Sequence, residues 1–272
     1  MAVFESPVLE NKTDAKKTKR QKEVEKLYGK VYELELMEED GIPLETQWHR
    51  VQMNMLIDLV FFLWKDRDNF FVGGNMFIYF NYEQAKNRNY RGPDVFVVDD
   101  VDGKKNRPYW AVWEEKDRYP DIIIELASPS TISIDLGFKK DIYEKIFKTK
   151  EYYCYNPDKQ ELLGWKLVEG RYEALKPNEE GWLYSEKLGV WLGKWEGKRQ
   201  RVEAVWLRFF TKNKELVPTS EEFAIKRADE LTRRAEEKTR LAQEEARRAQ
   251  EAEAEIEQLR ALLAKHGIKE DQ

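Results

Sequence analysis

The run Asp121-Ile-Ile-Ile-Glu-Leu-Ala127 constrains the fold more than any other stretch of the chain. Residues 122–126 are short, continuous and β-branched, the pattern of a strand covered on both faces at the centre of a sheet. Glu125 sits inside that run. An ionised carboxylate in such a strand is costly unless it is paired or bound to a metal, so the rest of the fold has to bring a cation to it. Pro129 ends any regular element. Ile142, Tyr143, Ile146 and Phe147 then mark one stripe of a helix, with Asp135 as its N-cap or a first-turn acid.

Other elements follow from periodicity. Val51, Met55, Leu56, Leu59, Phe62 and Leu63 recur at helical intervals and predict an amphipathic helix over 48–65. Strands are expected at 70–72, 76–80, 94–98, 109–112, 152–155, 162–167, 172–175, 182–184, 190–195 and 202–210. A loop is expected over 84–90, and Asp40-Gly-Ile-Pro43 is a turn signal. The order helix, strands, helix, strands predicts an α+β or α/β fold with a mixed sheet. Trp165, Trp182, Trp191, Trp195 and Trp206 fall in alternating strands, where packing of a β layer explains them better than a ligand surface.

The two ends differ from this middle. Residues 1–26 are mostly polar, with a basic cluster at Lys16, Lys17, Lys19 and Arg20, and are expected to be flexible and solvated. From residue 218 the chain becomes rich in Ala, Glu, Arg and Leu, without proline or glycine between Glu221 and His266. A heptad register runs through Ala228, Leu231, Ala235, Ala242, Ala249, Ala252, Ile256, Leu259 and Leu263, interrupted by Lys238 and Glu245, and is weak in the middle. The expectation is a central domain over 27–217 and a long helix over 218–272, either solvated alone or paired in a coiled coil.

The net charge of −5 argues against a protein that coats nucleic acid, but leaves room for an enzyme that meets DNA through a local patch. The single cysteine, Cys154, forms no internal disulfide and fits a reducing, cytoplasmic setting as a small buried residue. No apolar run reaches membrane-spanning length, and no signal peptide is evident.

The chemistry centres on Asp94, Glu125 and Lys139. Asp94 follows Pro93 at the start of one strand, and Glu125 lies near the end of another. Magnesium takes oxygen ligands and usually only one or two carboxylates; bound there, it lowers the pKa of an attacking water. A nearby amine steadies charge on a phosphoryl group. The three residues therefore suit a magnesium-dependent phosphodiesterase, provided that the strands of Asp94 and Glu125 are neighbours. Each also has a plainer reading: Asp94 as a turn residue, Lys139 as a solvated side chain. Two residues after Glu125 stands Ala127, where the usual nuclease form, Pro-Asp followed by (Asp/Glu)-X-Lys, has lysine. Lys139 on the following helix can replace it. Lys140 faces about 100° away, so only one of the pair points inward. Ser128 and Thr131 either cap that helix and hold the loop or touch phosphate.

The combination Arg91-Gly-Pro-Asp-Val, Ile122-Ile-Ile-Glu-Leu-Ala-Ser-Pro-Ser-Thr131, Asp135 four residues before Lys139, Tyr143, and Glu151-Tyr-Tyr-Cys-Tyr-Asn-Pro157 resembles the Uma-two family. The resemblance spans residues 30–210. It implies a restriction-endonuclease-like fold of the PD-(D/E)XK type, DNA as substrate, and Mg2+ or Mn2+ as cofactor. It also implies Asp94 and Glu125 as metal-binding acids and Lys139 as the displaced lysine. His49, in Glu45-Thr-Gln-Trp-His-Arg50, matches a recurrent family histidine. Glu38, Glu39 and Asp40 are candidates for a third acid, as an early helix acid often is in this nuclease class, and the choice among them, or none, stays open. The tail resembles those of cyanobacterial members and leaves a homodimer open. The competing reading is a catalytically inert or weak nuclease-fold protein that assembles through its tail.

Overall fold

Strand alternation decides which side chains meet. The computed structural model describes residues 17–34, 36, 46–87 and 92–265. The strands are β1 (Phe70–Gly74), β2 (Ile78–Tyr79), β3 (Val95–Asp99), β4 (Trp110–Ala111), β5 (Ile122–Leu126), β6 (Glu151–Asn156), β7 (Glu161–Val168), β8 (Arg171–Ala174), β9 (Leu183–Ser185), β10 (Val190–Arg199) and β11 (Val202–Phe210). The helices preceding the tail are α1 (Lys19–Tyr28), α2 (Gln47–Leu63), α3 (Tyr82–Lys86) and α4 (residues 132–147). The chain divides into two units, one ending at Val217 and one beginning at Pro218.

In the first unit, six strands form a mixed sheet in the order β1-β3-β5-β6-β7-β8. All its neighbours are antiparallel except β5 and β6. A parallel pair needs a crossover, and α4 supplies it. A second, antiparallel sheet runs β11-β10-β9, and β2 and β4 make a short parallel pair.

Alternate residues separate two cores. Val95, Val97, Ile122, Ile124, Leu126 and Tyr155 join α2 and the three-stranded sheet on one side. Phe96, Val98, Ile123, Ala127, Tyr152 and Cys154 join α4 on the other. Each fully buried apolar side chain contributes about 1.5–3 kcal/mol, so β5, buried at all five positions, is firmly held. The tryptophans pack this layer as expected. Trp165 stacks on Tyr152 at 5.5 Å, Trp182 on Phe210 at 3.9 Å and Trp48 on Trp206 at 5.9 Å between ring centroids.

Two segments depart from the sequence reading. Residues 84–86 of the loop expected over 84–90 belong instead to α3, capped by Asn81, whose side chain accepts the amide hydrogen of Gln84 at 2.8 Å; residues 88–90 lie outside the described ones. Within the polar N-terminal stretch, α1 forms because Thr18 and Gln21 make a reciprocal capping box. Val24 is wholly buried beside Val31 and Trp113, and Tyr28 donates to Asp117 at 2.9 Å. The turn at 40–43 and the acids Glu38, Glu39 and Asp40 lie outside the described residues.

Among the described residues, the second unit holds one 46-residue helix, Ser220–Lys265. Leu231, Leu241, Ile256, Leu259 and Leu262 are all exposed along it. Arg247 pairs with Glu251 at 2.9 Å and Arg248 with Glu244 at 2.7 Å, both at four-residue spacing. Among the described residues no helix is long and apolar enough to cross a membrane.

Candidate active site

Asp94 stands one residue ahead of β3, and the register Val95↔Ile124 sets it against Glu125. Both therefore emerge at neighbouring strand ends on the face that α4 covers. The backbone N–H of Asp94 lies 3.4 Å from Glu125 Oε2, and Leu126 N donates to Asp94 Oδ2 at 2.7 Å. The sequence condition that the two strands be neighbours is met.

Helix α4 delivers the cation. Lys139 Nζ lies 3.0 Å from Glu125 Oε2 and 2.8 Å from Asp135 Oδ1. Tyr143 donates its hydroxyl to Glu125 Oε1 at 2.7 Å. Asp135, Lys139 and Tyr143 are spaced by four. In a regular α-helix each such step overshoots a turn by about 40°. Here α4 contains two wide π-type turns, Asp135–Lys139 and Tyr143–Phe147. More residues per turn reduce the overshoot and keep the three side chains on one line; such turns recur at functional sites. Tyr152 on β6 anchors the first wide turn by donating to the Asp135 carbonyl at 2.9 Å.

From the opposite core, α2 contributes His49, whose Nε2 lies 2.6 Å from Asp94 Oδ1. The helix cap is Thr46, whose Oγ1 accepts from His49 N at 3.1 Å, so the histidine ring is left to serve the acid. Beside it a cleft of about 470 Å³ is bordered by Thr46, Trp48, His49, Ser128, Pro129 and Pro157. A larger cleft, about 760 Å³, lies among the loops around Asp68, Asp102 and Arg118. None of the cluster residues borders it, and its size alone gives it no chemistry.

Burial dominates the electrostatics. Glu125 is completely buried, and its carboxyl is pushed up to about 8 by desolvation; Lys139 opposes the rise, while Asp94 and Asp135 add to it. Burial works against the charged form of Lys139, yet Glu125, Asp135 and Asp94 hold its pKa above the ordinary lysine value. The Tyr143 hydroxyl is pushed far up by burial and by Glu125. With all acids ionised, three carboxylates face one ammonium, an excess of two negative charges around a glutamate closed to solvent.

The donor chemistry fits a divalent cation. Asp94 and Glu125 offer hard oxygens; Asp94 Oδ1, Asp94 Oδ2 and Glu125 Oε1 each meet one partner and keep a lone pair, while Glu125 Oε2 already meets both Lys139 and the Asp94 amide. One or two carboxylates are what magnesium usually takes from protein. A charge of +2 would also balance the excess. Among the described residues no group of three or more His, Cys, Asp or Glu is arranged to hold a metal ion.

The remaining expectations divide. Lys140 is not brought to the cluster: its ammonium lies 4.1 Å from the centroid of the Trp165 ring. The hundred-degree rotation between consecutive helical residues accounts for that. Ser128 and Thr131 hold their own loop. Ser128 N donates to Thr131 Oγ1 at 3.0 Å, and the two hydroxyls lie 3.2 Å apart. Ala127 is buried beside Glu125 and carries no cation. Asp135, read as a helix-start acid, is instead 1% exposed and partners the lysine. Tyr143, read as core, also binds the acid. The four-residue spacing Asp135, Lys139, Tyr143 was the available signal for both.

A mixed sheet flanked by helices, with acids at adjacent strand ends and a helix lysine between them, defines a restriction-endonuclease-like α+β protein. The family described as "Uma2: Putative restriction endonuclease" matches residues 23–193, well over half of the chain, and the chain belongs to it. No curated protein matches the sequence. Among solved structures, "a putative nuclease belonging to DUF820" from Anabaena variabilis is similar to 58% of this chain and 87% of its own, at 13% identity and a TM-score of 0.40.

Proposed function

We propose that the chain is a magnesium-dependent endonuclease that hydrolyses DNA phosphodiester bonds, with Asp94, Glu125 and Lys139 as its working residues. One observation carries the reading: two carboxylates from adjacent strand ends and a helix lysine converge around the fully buried Glu125. A bound Mg2+ or Mn2+ ion supplies Lewis acidity and a water of lowered pKa. Asp94 and Glu125 hold it. His49 fixes Asp94 through Oδ1, and Tyr143 fixes Glu125 through Oε1. Lys139, positioned by Asp135, faces the phosphate and stabilises its developing charge. The cleft beside His49 gives the substrate strand a way in. Pairing of two tails into a homodimer suits an enzyme that cuts both strands.

A second reading is favoured by the buried Ala127 at the usual lysine position and by the partners already engaging Asp94 and Glu125. It makes the chain an inert nuclease-fold protein that works through its tail. Magnesium calorimetry on the parent and on Asp94→Asn/Glu125→Gln, followed by cleavage assays on duplex DNA, separates the two. Binding and cleavage in the parent, both lost in a folded variant, support the endonuclease. A parent that binds no ion with or without duplex leaves the assembly protein.

A further inference from the structure

The tail helix leaves an apolar stripe uncovered, and its charges say what covers it. Leu231, Ile256 and Leu259 are 57%, 51% and 54% exposed, and Leu263 is 36% exposed. In the heptad register these residues share a seam with Ala228, Ala235, Ala242 and Ala249. Four alanines at one seam position let a second helix approach to the near end of the usual 8–10 Å range. Two charges interrupt the seam: Lys238 and Glu245, one heptad apart.

We propose that this stripe binds a second copy of the same helix, running antiparallel. A parallel, in-register pair would set Lys238 against the second copy's Lys238 and Glu245 against its Glu245. Those are two like-charge layers in the seam, and outer pairs such as Arg248 with the second copy's Glu253 are too solvent-screened to offset them. Reversing one helix removes both conflicts. Leu231 then lies opposite the second copy's Ile256, Ala228 opposite its Leu259, and Ala224 opposite its Leu263. Lys238 comes within one seam layer of the second copy's Glu245, close enough for two long side chains to join. Beside the seam, Arg234 meets the second copy's Glu255. Sliding the pair by one heptad sets Arg234 against Arg248 in one direction and Arg248 against itself in the other. Charge therefore selects both the direction and the register. The overlap from Ala224 to Leu263 covers about 60 Å of helix at 1.5 Å per residue.

This surface is independent of the metal chemistry, and its test uses the full chain. Light scattering should give twice the chain mass of 32.5 kDa. Because Cys154 is buried, introduced cysteines report cleanly. Leu231→Cys and Ile256→Cys chains should form a disulfide only when mixed. Lys238→Glu alone, and Glu245→Lys alone, should each weaken the dimer at least about tenfold, as like charges meet. The double exchange Lys238→Glu/Glu245→Lys should restore it, with helix content by circular dichroism unchanged throughout. A monomeric parent overturns the proposal. So does Leu231→Cys cross-linking to itself, the mark of a parallel pair, or a double exchange that fails to restore the dimer while helix content is intact.

Discussion

At the scale of single residues, Glu125 ties the site to pH. Its folded-state pKa of about 8 lies above the ordinary 4.5, so between those values the folded chain keeps a proton that the unfolded chain releases. The sign follows: this group's contribution to stability declines as pH rises from about 4.5 through about 8, and Glu125→Gln should flatten that decline in denaturation curves. A divalent cation competes with the same proton. Magnesium affinity should rise about tenfold per pH unit below pH 8 and level above it. Calorimetry in buffers of different ionisation heat should then show close to one proton released per ion at pH 7, and a pH-independent affinity would refute the assignment. Tyr143→Phe removes the hydrogen bond that favours the ionised form. It should weaken magnesium binding at pH 7 and destabilise the fold by about 1–3 kcal/mol, the cost of an unmet buried acceptor. The two lysines give an internal control. Lys139→Ala should abolish cleavage; Lys140→Ala should leave it intact and cost about 0.5–1 kcal/mol through the lost contact with Trp165.

At the scale of elements, α4 has unusual turns yet a place to improve. A Cβ on Gly137, within the first wide turn, would meet nothing within 4 Å, whereas one on Gly73 in β1 would come 2.3 Å from the Phe96 ring. Gly137→Ala should raise stability by about 0.4–1 kcal/mol, and Gly73→Ala should lower it by about 1–3 kcal/mol through overpacking; urea titration distinguishes them. The elements also show what could be read beforehand. β5 and β3 as short apolar runs, α2 by its helical period and the tail by its composition lie where the sequence set them. The pairing of Asp94 with Glu125 had to be supposed, because strand neighbours are a tertiary choice. Helix α3 is a single capped turn of polar residues, too short for periodicity. Helix α1 was hidden by its charge, although the Thr18–Gln21 spacing is a cap signal in its own right. The π-type turns that align Asp135, Lys139 and Tyr143 follow from how α4 packs on β6, and no local pattern announces them.

At the scale of the whole molecule, removing everything after Val217 should leave magnesium binding unchanged, because the site lies wholly within the first unit; calorimetry on the truncated chain checks this. One distant connection links the start of that unit to its end. The Gln52 side chain donates to the Leu207 carbonyl at 2.9 Å and accepts the Leu207 amide hydrogen at 2.8 Å, across 155 residues. It thereby occupies both hydrogen-bonding groups of one residue on β11, at the edge of its sheet. During synthesis, α2 is finished long before its partner exists. At about 5–20 residues per second, Gln52 waits roughly 8–30 s for Leu207. Through that interval the apolar side of α2, including Leu56 and Leu59, has no completed core to enter. The tail helix follows β11 in the sequence, so it emerges only after the first unit has all its strands.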